Sequence, residues 1–178
     1  MERNDMVNKP NYKVNPAKKV TTSNPTTSYT SHILQGKVYW CKVFAPNDDK
    51  KYSLDLVLDA KGVELLSKYN IPIKNADDER GSYATFTTYA ESFEGEPISF
   101  KENVFDASMN LFNDGLIGNG SLVNVEFLPR DWDFQGKHGT SARLLKLQVL
   151  KHIKYGGSKL KVETAFVVPS DEASPFTV

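Results

Sequence analysis

Between Ile33 and Tyr155 several stretches alternate apolar and polar positions with the two-residue period of half-buried strands, and one stretch takes a helical spacing instead. In Ile33 to Phe44, Val38, Trp40 and Phe44 fall on one face, and Lys37, Tyr39, Cys41 and Val43 fall on the other. Lys42 shares the Trp40 face, so one face is core and the other a solvent-side groove, and the pattern leaves open which is which. Pro46-Asn47-Asp48-Asp49 then signals a turn, and Lys51 to Leu58 a second strand with Leu54, Leu56 and Leu58 inward. Asp59 to Tyr69 is the helix. Asp59 caps it, Val63, Leu66 and Tyr69 recur at helical spacing, and Asn70 with Pro72 stops it, although Gly62 weakens the first turn by up to about 1 kcal/mol.

Ser82 to Ala90 returns to alternation, with Tyr83, Thr85, Thr87 and Tyr89 on one face and Ala84, Phe86, Thr88 and Ala90 on the other. Phe93 to Ile98 reads as a hairpin tip, and Val104 to Leu116 as a connection anchored by Phe105, Met109 and Phe112. Gly118 and Gly120 precede a strand and open no helix, so they are turn residues and not a dinucleotide fingerprint. In Leu122 to Leu128 the apolar side is Val123, Val125 and Phe127. Arg143 to Tyr155 extends the pattern, with Leu145, Leu147, Val149, Ile153 and Tyr155 inward and Lys146, Gln148, His152 and Lys154 mostly outward, a basic face.

Between these last two strands lies Pro129 to Gly139, which its proline and glycines mark as an irregular loop. It holds Trp132 and Phe134 among Arg130, Asp131, Asp133 and Lys137. Aromatic area on a charged loop forgoes core burial. Rings beside cations are what a single-stranded nucleic acid requires, since bases stack on rings and phosphates pair with cations. The bland alternative folds Trp132 back as a lid on the end of the molecule. Tyr83 and Tyr89 extend the stacking platform if they face outward and join the core if they face inward.

Length and composition bound these readings. With 178 residues and 39% hydrophobic content, the chain suits one domain with tails. The single cysteine, Cys41, excludes an internal disulfide framework and reads as a small buried hydrophobe. No run approaches the ~18 apolar residues of a membrane span, and the polar N-terminus lacks the apolar core of a signal peptide, so a cytosolic protein is expected. The formal net charge of 0 argues against a phosphate-rich partner until its distribution is read. Residues 1–35 hold five basic and two acidic groups, and 118–155 hold six and three, whereas 36–117 hold nine and fourteen. The stretch with the aromatic loop is thus basic.

Met1 to Ser31 is rich in Asn, Thr, Ser, Pro and Lys without apolar periodicity and reads as a flexible arm, with Lys9, Lys13, Lys18 and Lys19 available to phosphates. The domain is expected over 32–168, including a short strand or an extended piece at Lys161 to Val168, and a short tail over 169–178.

The run Ile117-Gly118-Asn119-Gly120-Ser121, a short strand, Pro129-x-x-Trp132, and a basic strand with Leu145-x-Leu147-Gln148 together resemble the replication single-stranded DNA-binding proteins of short-tailed (podovirus-type) bacteriophages. Lys51 to Leu58 (KYSLDLVL) and Val38 to Pro46 (VYWCKVFAP) agree with that resemblance, which spans about Ser31 to Tyr155. Periodicity alone gives a mostly β domain with one helix. The resemblance implies that it is an OB-fold-like five-stranded barrel, that it coats single-stranded DNA in phage replication and recombination, and that it works as a homodimer in the host cytoplasm. On the reading of the residues themselves, Trp132, Phe134, Tyr83 and Tyr89 are expected against bases and Arg130, Lys137, Arg143, Lys146, Lys154 and Lys42 along phosphates. An acidic tail tipped by an aromatic residue recruits the polymerase or helicase-primase in many such proteins, and Phe176 after Asp171 and Glu172 matches that ending in outline.

A protein-binding or virion-decorating β module is the alternative from another class, separated by whether oligonucleotides bind at all. No cofactor, metal or enzymatic activity is expected: His32, His138 and His152 are far apart, and no cysteine pair exists for zinc. Asp131 and Asp133 at strand-like spacing read as ion-pair partners of Arg130 and Lys137 in preference to magnesium ligands.

Overall fold

The structure, a computed structural model, describes residues 29–156. Most of the N-terminal arm, the 161–168 piece and the tail with Phe176 lie outside the described residues. In chain order the elements are β1 (His32–Lys42), β2 (Lys51–Val57), α1 (Ala60–Lys68), β3 (Lys74–Asn75), β4 (Ser82–Tyr89), β5 (Val104–Phe105), β6 (Leu122–Phe134) and β7 (Lys137–Lys151). β1 pairs antiparallel with β2 and β6, β2 with β4, and β6 with β7. A short parallel contact of Phe86 and Thr87 with Ala142 and Arg143 joins β4 to β7 and closes the ring. β3 and β5 extend it outside. The expected five-stranded OB-type barrel, mostly strand with one helix, is what forms.

Alternation decides its interior. Val38, Leu54, Leu56, Phe86, Val123 and Phe127 are fully buried, and their sequence neighbours point outward. α1 forms as expected. The Asp59 carboxylate accepts from the Gly62 amide at 2.7 Å, and a Cβ at Gly62 would crowd that carboxylate at 3.2 Å, so the glycine that weakens the helix also leaves room for its cap. Leu66 is the helix residue that enters the core.

Four expectations are corrected. Pro129 to Gly139 is no loop: β6 and β7 continue through it as a long ribbon turned by Gln135 and Gly136 alone. Both turn residues have positive φ (52° and 77°), the two-residue hairpin geometry that matches strand twist. Pro129 is tolerated because β1 pairs with β6 only as far as Phe127, leaving an edge beyond it. Second, an irregularity between Glu126 and Phe127 places an extra residue in β7, so Leu144 and not Leu145 is buried. Third, β7 stops at Lys151, and Ile153 and Tyr155 are exposed. Fourth, a shift of register between Tyr39 and Lys42, with Trp40 at φ 50°, turns Trp40 outward and brings Val43 into the core. Of the anchors expected in 104–116, Phe112 is buried but Met109 is exposed.

Candidate nucleic-acid interface

Once the ribbon is regular, its chemistry sorts by face. Beyond the core residues of β6, the inward series continues through Asp131 and Asp133, and the outward series is Arg130, Trp132 and Phe134. Register sets Trp132 opposite Gly139, and its indole lies over that glycine: a Cβ there would come 2.9 Å from Trp132 Cζ2 and 3.1 Å from Cε2. The ring therefore packs on its own ribbon and not back on the barrel end, and it remains 43% exposed. Phe134, beside the turn, is more exposed still, and Lys137 stands opposite it at the tip.

β4 supplies the facing wall. Its outward side carries Tyr83, Thr85, Thr87 and Tyr89, which settles the orientation that the pattern left open. Register places Lys51 of β2 opposite Tyr89, with Lys51 Nζ 5.3 Å from the ring centroid, and the Arg130 guanidinium carbon approaches the same ring at 5.8 Å. A ring between two cations keeps its negative face polarised by both. One cross-strand row runs from Lys42 through Ser53 and Thr87 to Arg143. Lys51, Thr87, Tyr89, Arg130, Trp132 and Arg143 line a groove of about 580 Å³, which Asp131 and Asp133 also border. A second groove of about 930 Å³ continues from it, sharing Thr88, Tyr89, Arg130 and Arg143. Among the described residues, none of Lys51, Arg130 and Arg143 has a carboxylate within ion-pair distance.

Other expected site residues lie elsewhere. Tyr83 is at the opposite end of β4, about 20 Å from Tyr89 at the rise of a strand, with Lys74 and Arg80 over its ring. Lys146 faces outward, but its Nζ is 3.6 Å from Glu126 Oε2, and it lines neither groove. Lys154 lies beyond β7, bridged to Ile117 at the end of the barrel away from the ribbon tip. Asp131 is not an ion-pair partner of Arg130, because neighbours on a strand point to opposite faces. It accepts from the Tyr29 hydroxyl at 2.6 Å and the Thr140 hydroxyl at 2.9 Å. These two bonds, Tyr29 first, hold its carboxyl below the ordinary range, and the same bond to Asp131 raises Tyr29 above its own. Cys41 is half-buried, and desolvation pushes its thiol up to about 12, far from a nucleophile's range. Sequence reasoning missed Lys51, whose approach to Tyr89 depends on the pairing of β2 with β4.

With the geometry established, the structure can be set beside solved ones. It is similar to gp2.5, a single-stranded DNA-binding protein encoded by bacteriophage T7, with a TM-score of 0.57 at 14% identity over 74% of this chain and 92% of that one. The single-stranded DNA-binding protein of bacteriophage Enc34 is similar at a TM-score of 0.53 and 12% identity, covering 73% of this chain and 86% of that one. The same Enc34 protein in complex with single-stranded DNA gives 0.54 at 11% identity, over 71% and 89%. What the three share with this chain is the fold. No protein-family model matches the sequence, and no curated protein matches it. At such low identity the barrel is common property, while the side chains in the groove are this chain's own. No helix among the described residues is long and apolar enough to cross a membrane.

Proposed function

We propose that the protein belongs with the phage single-stranded DNA-binding proteins and coats single-stranded DNA, without sequence preference, during replication and recombination in the host cytoplasm. The observation that carries this reading is the Tyr89 ring with both Lys51 and Arg130 close to it, lining one groove together with Trp132. OB barrels bind oligonucleotides on the face of their second and third strands, flanked by the loops between strands one and two and between strands four and five. In this barrel those parts are β2, β4, the 43–50 connection and the β6–β7 ribbon, and the groove lies where the ribbon meets β4. Rings that stack on any base and cations that track any phosphate bind without reading sequence. The structural neighbours support the same reading, since gp2.5 and the Enc34 protein are single-stranded DNA-binding proteins.

Trp132, Tyr89 and Phe134 then take bases, and Arg130, Arg143, Lys51, Lys137 and Lys42 take phosphates. Tyr83, Lys146 and Lys154 contribute only if the strand travels on around the barrel. Homodimer formation, and recruitment of a polymerase or helicase-primase through Phe176, belong to the same proposal and are tested by sedimentation and by truncation of the tail.

The test of binding is titration of tryptophan fluorescence with oligo-dT at low and high salt, with an equal length of duplex as control. Trp40 is exposed, with its amide bonded to Asn119, so a Trp40→Phe variant leaves Trp132 as sole reporter. Saturable quenching by the single strand, weakening with salt, is the expected result. Absence of both quenching and a gel shift would return the chain to the reading of a protein-contact module.

A further inference from the structure

Phe93 is fully exposed, with a relative surface of 106%. A phenylalanine in water forgoes the stabilisation that burying its ring would contribute. Nothing in the barrel uses its ring, yet the backbone that presents it is tied down. Ser92 N–H donates to Glu96 O at 2.8 Å, and Ser92 Oγ accepts from the Glu94 and Glu96 amides at 3.2 and 3.1 Å. Gly95 turns at φ 83°, Glu91 bridges to Pro97, and Lys50 pairs with Glu91 at 2.9 Å. The tip is a built support for one aromatic side chain.

Its place gives that ring a use. Phe93 lines the 930 Å³ groove together with Tyr89, Arg130 and Arg143, and the last three also line the groove of Trp132. The two grooves therefore form one path with Tyr89 near its middle, Trp132 on one arm and Phe93 on the other. Charge along the path is ordered as well. Arg130 and Arg143 occupy the shared middle, whereas the Phe93 arm is lined by Asp49, Glu91 and the Lys50 already paired with Glu91, and offers little to a phosphate. A strand laid in this path would have its backbone over the arginines and only a base at the tip.

We propose that Phe93 is a second stacking residue for single-stranded nucleic acid and marks the far end of the binding path. The inference rests on the proposed function, which it extends by giving the path a second end. The experiment compares full-length wild type, Phe93→Ala and Trp132→Ala on oligo-dT of about 4 and about 16 nucleotides, the range that one OB barrel covers. Phe93→Ala is expected to weaken the longer oligonucleotide roughly 5- to 150-fold and to leave the shorter one unchanged on the Trp132 side, with Phe93→Trp restoring affinity. Unchanged affinity of Phe93→Ala at both lengths, with Trp132→Ala still weakened, overturns the assignment while the proposed function stands. Failure of the wild type to bind either length overturns both. A change of oligomeric state in Phe93→Ala on size exclusion, without loss of oligonucleotide affinity, assigns the ring to a protein contact and also overturns it.

Discussion

At one end of β4, Tyr89 lies between Lys51 and Arg130; at the other, Tyr83 lies beneath Lys74 and Arg80. The ingredients are alike. Their electrostatic state is not. Arg80 Nε donates to both oxygens of Asp78, at 2.8 Å each, and its guanidinium also covers Tyr39 at 5.3 Å, so its side chain is only 21% exposed. That bond holds the Asp78 carboxyl below its ordinary range and raises Arg80, which marks a pair already committed to each other. Around Tyr89 no such acid stands within ion-pair distance among the described residues, and the cations face a groove. An aromatic ring beside a cation is therefore weak evidence of a binding site. A cation whose charge is still available to a guest is stronger evidence.

The comparison breaks most visibly at Trp132. Trp132→Ala is expected to cost about 1–3 kcal/mol of affinity for oligo-dT with the melting temperature nearly unchanged, and Tyr89→Ala somewhat less. An equal loss in Tyr83→Ala would erase the distinction between the two ends. Next in size is the paired replacement Arg130→Ala with Arg143→Ala. It should flatten the slope of log affinity against log salt by about 0.7 for each phosphate contact removed, while Arg80→Ala leaves that slope alone. Gly139→Ala is a subtler probe. A methyl group 2.9 Å from the indole must push Trp132 off the ribbon, so its emission should shift in the free protein and affinity should fall by less than in Trp132→Ala. The smallest effect is confined to acid. Asp78 has a lowered folded pKa, so its contribution to stability is complete above the ordinary 3.8 and is lost as pH falls through the folded value. Thermal melts below pH 4 should therefore fall less steeply in Arg80→Ala than in wild type, with oligonucleotide binding at neutral pH the same in both.

Much of the barrel is legible in alternation. Val123, Val125 and Phe127 inward, Leu54 and Leu56 inward, and a helix capped by Asp59 all follow from spacing and local chemistry. Alternation fails where a strand gains a residue. At Trp40 and at Leu145 an irregular register flips the faces, and only the partner strand reveals the slip. The ribbon was hidden for another reason: Pro129, Gly136 and Gly139 are loop signals in isolation, but here they are an edge position, a tight turn and a seat for an indole. The aromatic residues and cations of the ribbon could be found from sequence, as could Tyr89. Lys51 and Phe93 could not, because one depends on cross-strand register and the other on how a tip projects.

The ribbon also has a mechanical reading. Past Phe127 in β6 and before Ala142 in β7, its two strands pair only with each other, so it leaves the barrel as a cantilever. Trp132 is mounted on one side of that beam, and on the other Tyr29 reaches Asp131 with a 2.6 Å bond while its own ring rests edge-on against Tyr69. A load applied through the tryptophan pushes the beam toward Tyr29. Tyr29, just ahead of β1, thus acts as a backstop, and the stiffness of the ribbon that carries Trp132 is set partly by a side chain on its other side, outside the proposed groove.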